Sequence, residues 1–192
     1  GHKSHIGAYI CYLVTYSEIH ADLDDDVDVQ SDVRTAAQAL VNAVKLLLFL
    51  DVGGSMDPFI HLCEELFSAA TGEFKNMEFF YFHNCLYEGV WKDNRRRFAE
   101  RTPTWDILHK YGHDYKVIFV GDAAMSPYEI VHIGGSVEHM NDEPGAVWLQ
   151  RLLTTYPAAA WLNPVSEAQW GYNGSTQIIQ ELMGGRMYPL TL

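Results

Sequence analysis

A nearly uninterrupted apolar run at residues 44–50, closed by Asp51, is the strongest pattern in this chain. A run of this kind lacks polar alternation, which is typical of a central parallel strand buried on both faces. A turn-rich segment follows, in which Asp57 and Pro58 predict the N-cap and the first residue of a helix. We expect Gly72 to end that helix. Its apolar positions recur at helical spacing: Phe59, Leu62, Cys63, Leu66, Phe67 and Ala70.

Strand and helix patterns then alternate along the rest of the chain. Strands are predicted at residues 77–82, 85–91, 116–120 and 158–162. The first two of these would pair as an antiparallel hairpin across a tight turn at His83 and Asn84. Helices are predicted to begin at Thr102, Pro144 and Ser175. The alternation predicts an α/β fold, with a doubly wound, mostly parallel, Rossmann-like sheet, helices on both faces and one antiparallel edge hairpin.

The chain divides near residue 43. Residues 1–43 are interpreted as an N-terminal arm, whereas residues 44–192 are interpreted as the α/β domain. The arm carries an acidic run at residues 22–28, which favours a solvated loop because an EF-hand loop would need a central glycine and a closing glutamate. A helix ending at Val41 is predicted to follow it.

Composition limits the classes of function. The chain has 192 residues, of which 48% are hydrophobic, so it can bury a substantial core. Its net charge of −12 opposes binding to a nucleic-acid backbone. No apolar run approaches the roughly 18–20 residues of a membrane span, and no signal peptide is visible. The three cysteines lack a CxxC pair, which indicates a reducing, cytoplasmic setting.

Candidate chemistry collects where the predicted strands end. Asp51 and Asp122 each follow a buried strand, and the carboxyl ends of parallel strands are where ligands bind in open sheets. Ser55 lies in the loop after Asp51, and Thr102 and Thr104 lie at a helix start that should reach the same edge. Carboxylates and hydroxyls are ligands for Mg²⁺, Mn²⁺ or Ca²⁺, and such a sparse set suits Mg²⁺ best. Strand-end aspartates and helix-capping hydroxyls are the purely structural alternative.

These residues also carry a resemblance to a known family. The segment 51–55, which reads Asp-Val-Gly-Gly-Ser, resembles the first motif of the metal-ion-dependent adhesion site in von Willebrand factor A (VWA) domains. Thr102, with Thr104 as the alternative, and Asp122 follow in the family's order. The segments 81–85 and 186–190 resemble the CoxE-like bacterial group of these domains. The resemblance covers residues 44–192.

One position departs from the family pattern. The second ligand position of the motif, which usually carries a hydroxyl, is Gly53 in this chain. Glycine offers no side-chain oxygen, so either a water molecule fills that place, or the backbone fills it, or the affinity for the ion drops. The resemblance otherwise implies a metal site formed by Asp51, Ser55, Thr102 or Thr104, and Asp122.

The resemblance implies a non-enzymatic interaction module. In such domains a partner's carboxylate completes the coordination of the ion, and CoxE-like members resemble partners of MoxR-type AAA+ ATPases that act in the maturation of metalloenzymes or other complexes. The competing hypothesis is a metal-dependent, phosphatase-like hydrolase with Asp51 as nucleophile. Such enzymes usually carry a second aspartate two residues on, where this chain has Gly53, and a downstream lysine, for which Lys116 is the candidate. A thiol catalyst at Cys85, beside His83, is a further alternative.

Overall fold

A computed structural model describes residues 42–95 and 100–190 of the chain. Nearly all of the predicted N-terminal arm, including its acidic run and the helix ending at Val41, lies outside these residues. Apart from Asn42 and Ala43, the described residues belong to the predicted α/β domain.

Seven strands of the described residues form one sheet in the order β4-β3-β2-β1-β5-β6-β7. The strands are β1 (Lys45–Asp51), β2 (Asn76–Phe82), β3 (Gly89–Trp91), β4 (Arg101–Pro103), β5 (Lys116–Val120), β6 (Ala159–Asn163) and β7 (Met187–Pro189). β2, β1, β5, β6 and β7 run parallel, whereas β3 and β4 continue the sheet in antiparallel pairing. The predicted doubly wound α/β fold with an antiparallel edge is confirmed.

The chain order reverses direction at β1, which pairs with β2 on one side and with β5 on the other. This arrangement opens a crevice beyond the carboxyl ends of β1 and β5, where open α/β sheets bind ligands. Asp51 is the last residue of β1, and Asp122 comes two residues after β5 ends. The topology therefore brings both predicted carboxylates to this crevice.

Helices cover both faces of the sheet. They follow a short 3-10 helix (Gly54–Phe59) and comprise α1 (Ile60–Glu73), α2 (Thr104–Lys110), α3 (Pro127–Val131), α4 (Gly145–Thr155), α5 (Glu167–Trp170) and α6 (Gly174–Leu182). α1 packs on one face, where Leu48 of β1 meets Leu66. The other face packs against α2, α3, α4 and α6. On that face the ring centroid of Phe49 lies 5.5 Å from that of Phe80, which is stacked on it, and 5.4 Å from that of Phe119, which is tilted.

Several predicted boundaries were wrong for identifiable reasons. The antiparallel partner of β2 is confined to Gly89–Trp91, because Cys85 belongs to the connection from β2 and not to a strand. The helix predicted at Thr102 begins at Thr104, and Thr102 lies in β4. α1 continues through Gly72, because no positive backbone angle is needed there. α6 is capped by Asn173, two residues before the predicted Ser175.

No helix in residues 42–95 and 100–190 is long and apolar enough to cross a membrane.

Candidate functional site

Asp51 is the centre of the crevice. Its side chain is only 5% exposed, and its Oδ1 accepts hydrogen bonds from the backbone N–H groups of Gly53, at 2.8 Å, and Asn84, at 2.9 Å. Oδ2 is buried and finds no hydrogen-bond donor among the described residues. A buried carboxylate oxygen without a donor is costly, so this atom is available for a bound cation.

Asp122 lies beside it. The residue is 4% exposed, its Oδ1 accepts a hydrogen bond from the Ala124 N–H at 2.9 Å, and its own N–H donates to the Met56 sulfur at 3.2 Å. The preceding Gly121 packs directly on Asp51, because a Cβ on that glycine would lie 2.9 Å from the Asp51 Cβ and 3.2 Å from Oδ2. The sequence analysis predicted that these two carboxylates lie at the same edge of the sheet. In the structure they are close enough for the charge of Asp122 to raise the pKa of Asp51.

A third carboxylate, Glu129, borders the site and was missed by the sequence analysis. It lies in the first turn of α3 and is 2% exposed. Both of its oxygens accept from the Asn84 Nδ2 at 3.2 Å, and Oε1 accepts from the Ser126 N–H at 3.3 Å. Ser126 and Glu129 form a capping box, a pattern that the sequence displays, but the pattern predicts a helix start and not the neighbouring Asp51.

These three carboxylates determine the electrostatics. Burial raises the pKa of Asp51 to about 7, and repulsion from Asp122 and Glu129 adds to the rise, while the two backbone N–H bonds oppose it. Burial also raises the pKa of Glu129. The crevice therefore disfavours a second uncompensated negative charge, and a bound cation would remove that cost.

Asn84 explains the departure at Gly53. A Cβ on Gly53 would lie 2.1 Å from the Asn84 Oδ1 and 3.2 Å from the Asp51 Oδ1. The side chain of Asn84 thus fills the space that a serine at position 53 would need. Asn84 holds this place in a left-handed backbone conformation, with φ of 57°, which is uncommon outside glycine but tolerated best by asparagine and aspartate.

The predicted hydroxyl ligands are distributed unevenly. Ser55 is exposed in the 3-10 helix, one turn after Asp51. Thr102 lies in β4, level with the end of β1 but three strands away, which is roughly 14 Å at the usual strand spacing. Thr104 is fully buried and donates to the Tyr87 carbonyl at 2.6 Å. Asn84 and Glu129 stand closer to the two aspartates than Thr102 does, and neither was among the predicted ligands.

Thr104 nevertheless connects to the site through a chain of hydrogen bonds. The Tyr87 hydroxyl donates to the Glu129 carbonyl at 2.9 Å, Glu129 accepts from the Asn84 amide, and the Asn84 N–H donates to Asp51. This chain joins the start of α2 to the end of β1. Thr104 is therefore linked to Asp51 through the residues Tyr87, Glu129 and Asn84, while its own hydroxyl donates to the Tyr87 backbone carbonyl.

A second strained residue stands next to Asp122. Ala123 is buried and has φ of 55°, which an L-residue other than glycine adopts at a cost. The hydroxyls of Ser175, at 2.7 Å, and Thr176, at 3.3 Å, donate to its carbonyl. The start of α6 thus holds the turn that aims Asp122 into the crevice.

The enzymatic alternatives find no support in the placement of their residues. Lys116 is the first residue of β5 and pairs with Leu46, so it lies at the amino ends of the parallel strands, whereas Asp51 lies at their carboxyl ends. Cys85 is buried, and burial raises the pKa of its thiol to about 12, which keeps it in the unreactive protonated form.

Within the described parts of the chain, no three histidine, cysteine, aspartate or glutamate side chains converge on one point with the geometry of a metal cluster. A metal ion in this crevice would therefore need hydroxyl, amide and water oxygens besides the carboxylates, as Mg²⁺ commonly takes. No protein-family model, curated protein or solved structure matches this chain.

Proposed function

We propose that this chain is a non-enzymatic protein-interaction module of the VWA type, which holds a divalent cation at the carboxyl end of β1 and β5. The observation that carries the proposal is the pairing of two buried carboxylates, Asp51 and Asp122. Oδ2 of Asp51 lacks a hydrogen-bond donor among the described residues. Paired carboxylates in a dry crevice favour a cation strongly.

Mg²⁺ is the ion that this set of oxygens suits best, with Mn²⁺ and Ca²⁺ as alternatives. Asp51 and Asp122 supply the charge, and the amide oxygen of Asn84 takes the position left open by Gly53. Ser55 would contribute from the 3-10 helix. When bound, the ion offers a coordination position to a carboxylate from a partner protein.

The surroundings of the crevice favour a protein as the partner. A set of large apolar side chains is exposed on α3, on the loop after it and on the turn before α6. They are Tyr128, Val131, Ile133, Val137, Met140 and Tyr172. α3 also carries Glu129, and the turn before α6 adjoins Ser175, so these side chains belong to elements that build the site. Exposed apolar clusters with polar borders are typical of interaction surfaces.

The partner that the resemblance implies is a MoxR-type AAA+ ATPase, with this chain as its adaptor in the maturation of a metalloenzyme or another protein complex. Co-purification of the two proteins in Mg²⁺ and in EDTA tests this part. We expect Mg²⁺-dependent capture of the ATPase, reduced by Met140→Ser. Equal capture in EDTA would contradict a metal-mediated contact.

The metal itself is tested by calorimetric titration of Mg²⁺ and Mn²⁺. Wild type and the control Asp57→Asn, whose carboxylate is exposed, should show the same saturable heat. Asp51→Asn and Asp122→Asn should each lose it, because each removes one of the two charges. A wild-type titration without saturable heat, or one unchanged by Asp51→Asn, would refute the site.

A further inference from the structure

A cavity of about 350 Å³ lies between α1, the 3-10 helix and the ends of β1 and β2. Its volume falls in the range of small-molecule sites. Apolar side chains form much of its wall: Leu50, Met56, Ile60, Cys63, Phe67 and Tyr81.

The charged groups of this cavity are all acidic. Asp51, Asp57 and Glu64 line it, and its described lining includes no lysine, arginine or histidine. Asp57 and Glu64 are exposed, whereas Asp51 is buried with Oδ2 lacking a donor among the described residues. An apolar wall with carboxylates at its mouth and at its inner end is complementary to a molecule that has an apolar stem and a positive head.

The thiol of Cys63 lies in the same negatively charged environment. The residue lies on α1 inside the cavity, and burial raises the pKa of its thiol to about 11, with Asp51 and Glu64 adding to the rise. The thiol is therefore neutral at physiological pH, and it contributes an apolar surface and not a charge.

We propose that this cavity binds a small organic cation, an alkylammonium or alkylguanidinium ion, with its stem against Phe67 and Tyr81 and its head between Asp57 and Glu64. The stem would bury apolar area that an inorganic ion cannot use, and the two carboxylates would attract the charged head. Asp51, Gly53 and Met56 border both this cavity and the proposed metal site, whereas Glu64 lines the cavity alone. The two functions are therefore separable by changing Glu64.

Pentylamine is the probe, compared with 1-pentanol and pentanoate of similar length. Binding is followed by protein NMR shifts and by protection of Cys63 from N-ethylmaleimide, read by peptide mass spectrometry. We expect pentylamine to bind and to protect Cys63, and the two controls to do neither. Equal protection by 1-pentanol would overturn the role of charge, and absence of protection by pentylamine would overturn the site.

Glu64→Gln should weaken pentylamine binding about fivefold, because one charged contact is lost. Glu65→Gln is the matched control, since Glu65 is the next residue on α1, is not among the lining residues and lies 3.5 Å from His61. Unchanged affinity in Glu64→Gln would overturn the proposal. The Mg²⁺ titration of Glu64→Gln, which should equal wild type, separates failure here from failure of the metal site.

Discussion

The amide oxygen of Asn84 lies where the side chain of residue 53 would begin: a Cβ on Gly53 would stand 2.1 Å from it. A larger side chain at this position would therefore have to displace the amide of a neighbour that comes 31 residues later in the chain. The same asparagine donates its N–H to Asp51 and its amide to Glu129. Asn84 thus links Gly53, the position that differs from the motif this segment resembles, to the carboxylates of Asp51 and Glu129.

Variants at Asn84 and Gly53 test whether the oxygen at this place contributes to cation binding. Asn84→Gly keeps the left-handed backbone free of strain but removes the amide oxygen, and we expect it to weaken Mg²⁺ binding by about tenfold or more. Adding Gly53→Ser should restore much of the loss, because the hydroxyl then has room to occupy the same place. Calorimetry of the two variants provides the measurement.

Gly53→Ser alone provides the control for this exchange. With Asn84 still present, the new side chain must displace the amide, so this variant should bind no better than wild type. Equal affinity of wild type and Asn84→Gly would contradict the assignment of Asn84 as a ligand.

The pKa of Asp51 predicts a pH dependence of stability. In the unfolded chain this carboxyl ionises near pH 4, but in the folded chain its pKa is about 7, so the folded state binds the extra proton in between. Stability contributed by the group is therefore complete below pH 4 and is lost as the pH rises through 7. The full shift corresponds to roughly 4 kcal/mol at most.

Thermal unfolding of wild type and Asp51→Asn between pH 5 and 8 in EDTA provides the check. The wild-type melting temperature should fall more steeply with pH than that of Asp51→Asn, while Asp57→Asn should follow wild type. Saturating Mg²⁺ should raise the wild-type value most at pH 8, where the carboxylate is ionised. Parallel curves for wild type and Asp51→Asn would show that Asp51 titrates normally.

Ser175 should matter more to stability than its place on the helix suggests. Its buried hydroxyl donates to the Ala123 carbonyl and accepts from the Met125 N–H at 3.1 Å. Ser175→Ala leaves the Met125 N–H without this acceptor and leaves the Ala123 carbonyl with only the Thr176 hydroxyl, so we expect a loss of about 1–3 kcal/mol in the free energy of unfolding. Urea denaturation measures it.

Ser166→Ala is the matched control, because Ser166 is exposed and makes no capping hydrogen bond with its side chain. Ser166→Ala should lower the free energy of unfolding by less than about 0.5 kcal/mol. Similar losses in the two variants would show that the turn at Ala123 does not depend on Ser175.

Local pattern was sufficient where burial alone determines structure. The apolar run before Asp51 identified β1, in which every residue after Lys45 is buried. The rule that ligands bind at the carboxyl ends of parallel strands predicted that Asp51 and Asp122 share one edge. Short edge strands escaped prediction: β4 and β7 have three residues each, too few to show a period. They are held mainly by pairing with a neighbouring strand.

The remaining site residues could not be predicted because distant segments meet there. The sequence pattern around Glu129 predicts only a helix cap. Its contact with Asn84 depends on how α3 packs in the folded chain. Thr102 fitted the family order, yet the strand between Arg101 and Pro103 extends the sheet and carries it three positions from β1. Residue order does not encode such lateral distance.

Anomalous diffraction from a crystal soaked in Mn²⁺ tests most directly the claim that a divalent cation binds between Asp51 and Asp122. We predict one strong anomalous peak within coordination distance of both carboxylates, with the Asn84 amide oxygen in its shell. A map with no peak there, or with Mn²⁺ bound only elsewhere on the acidic surface, would contradict the claim.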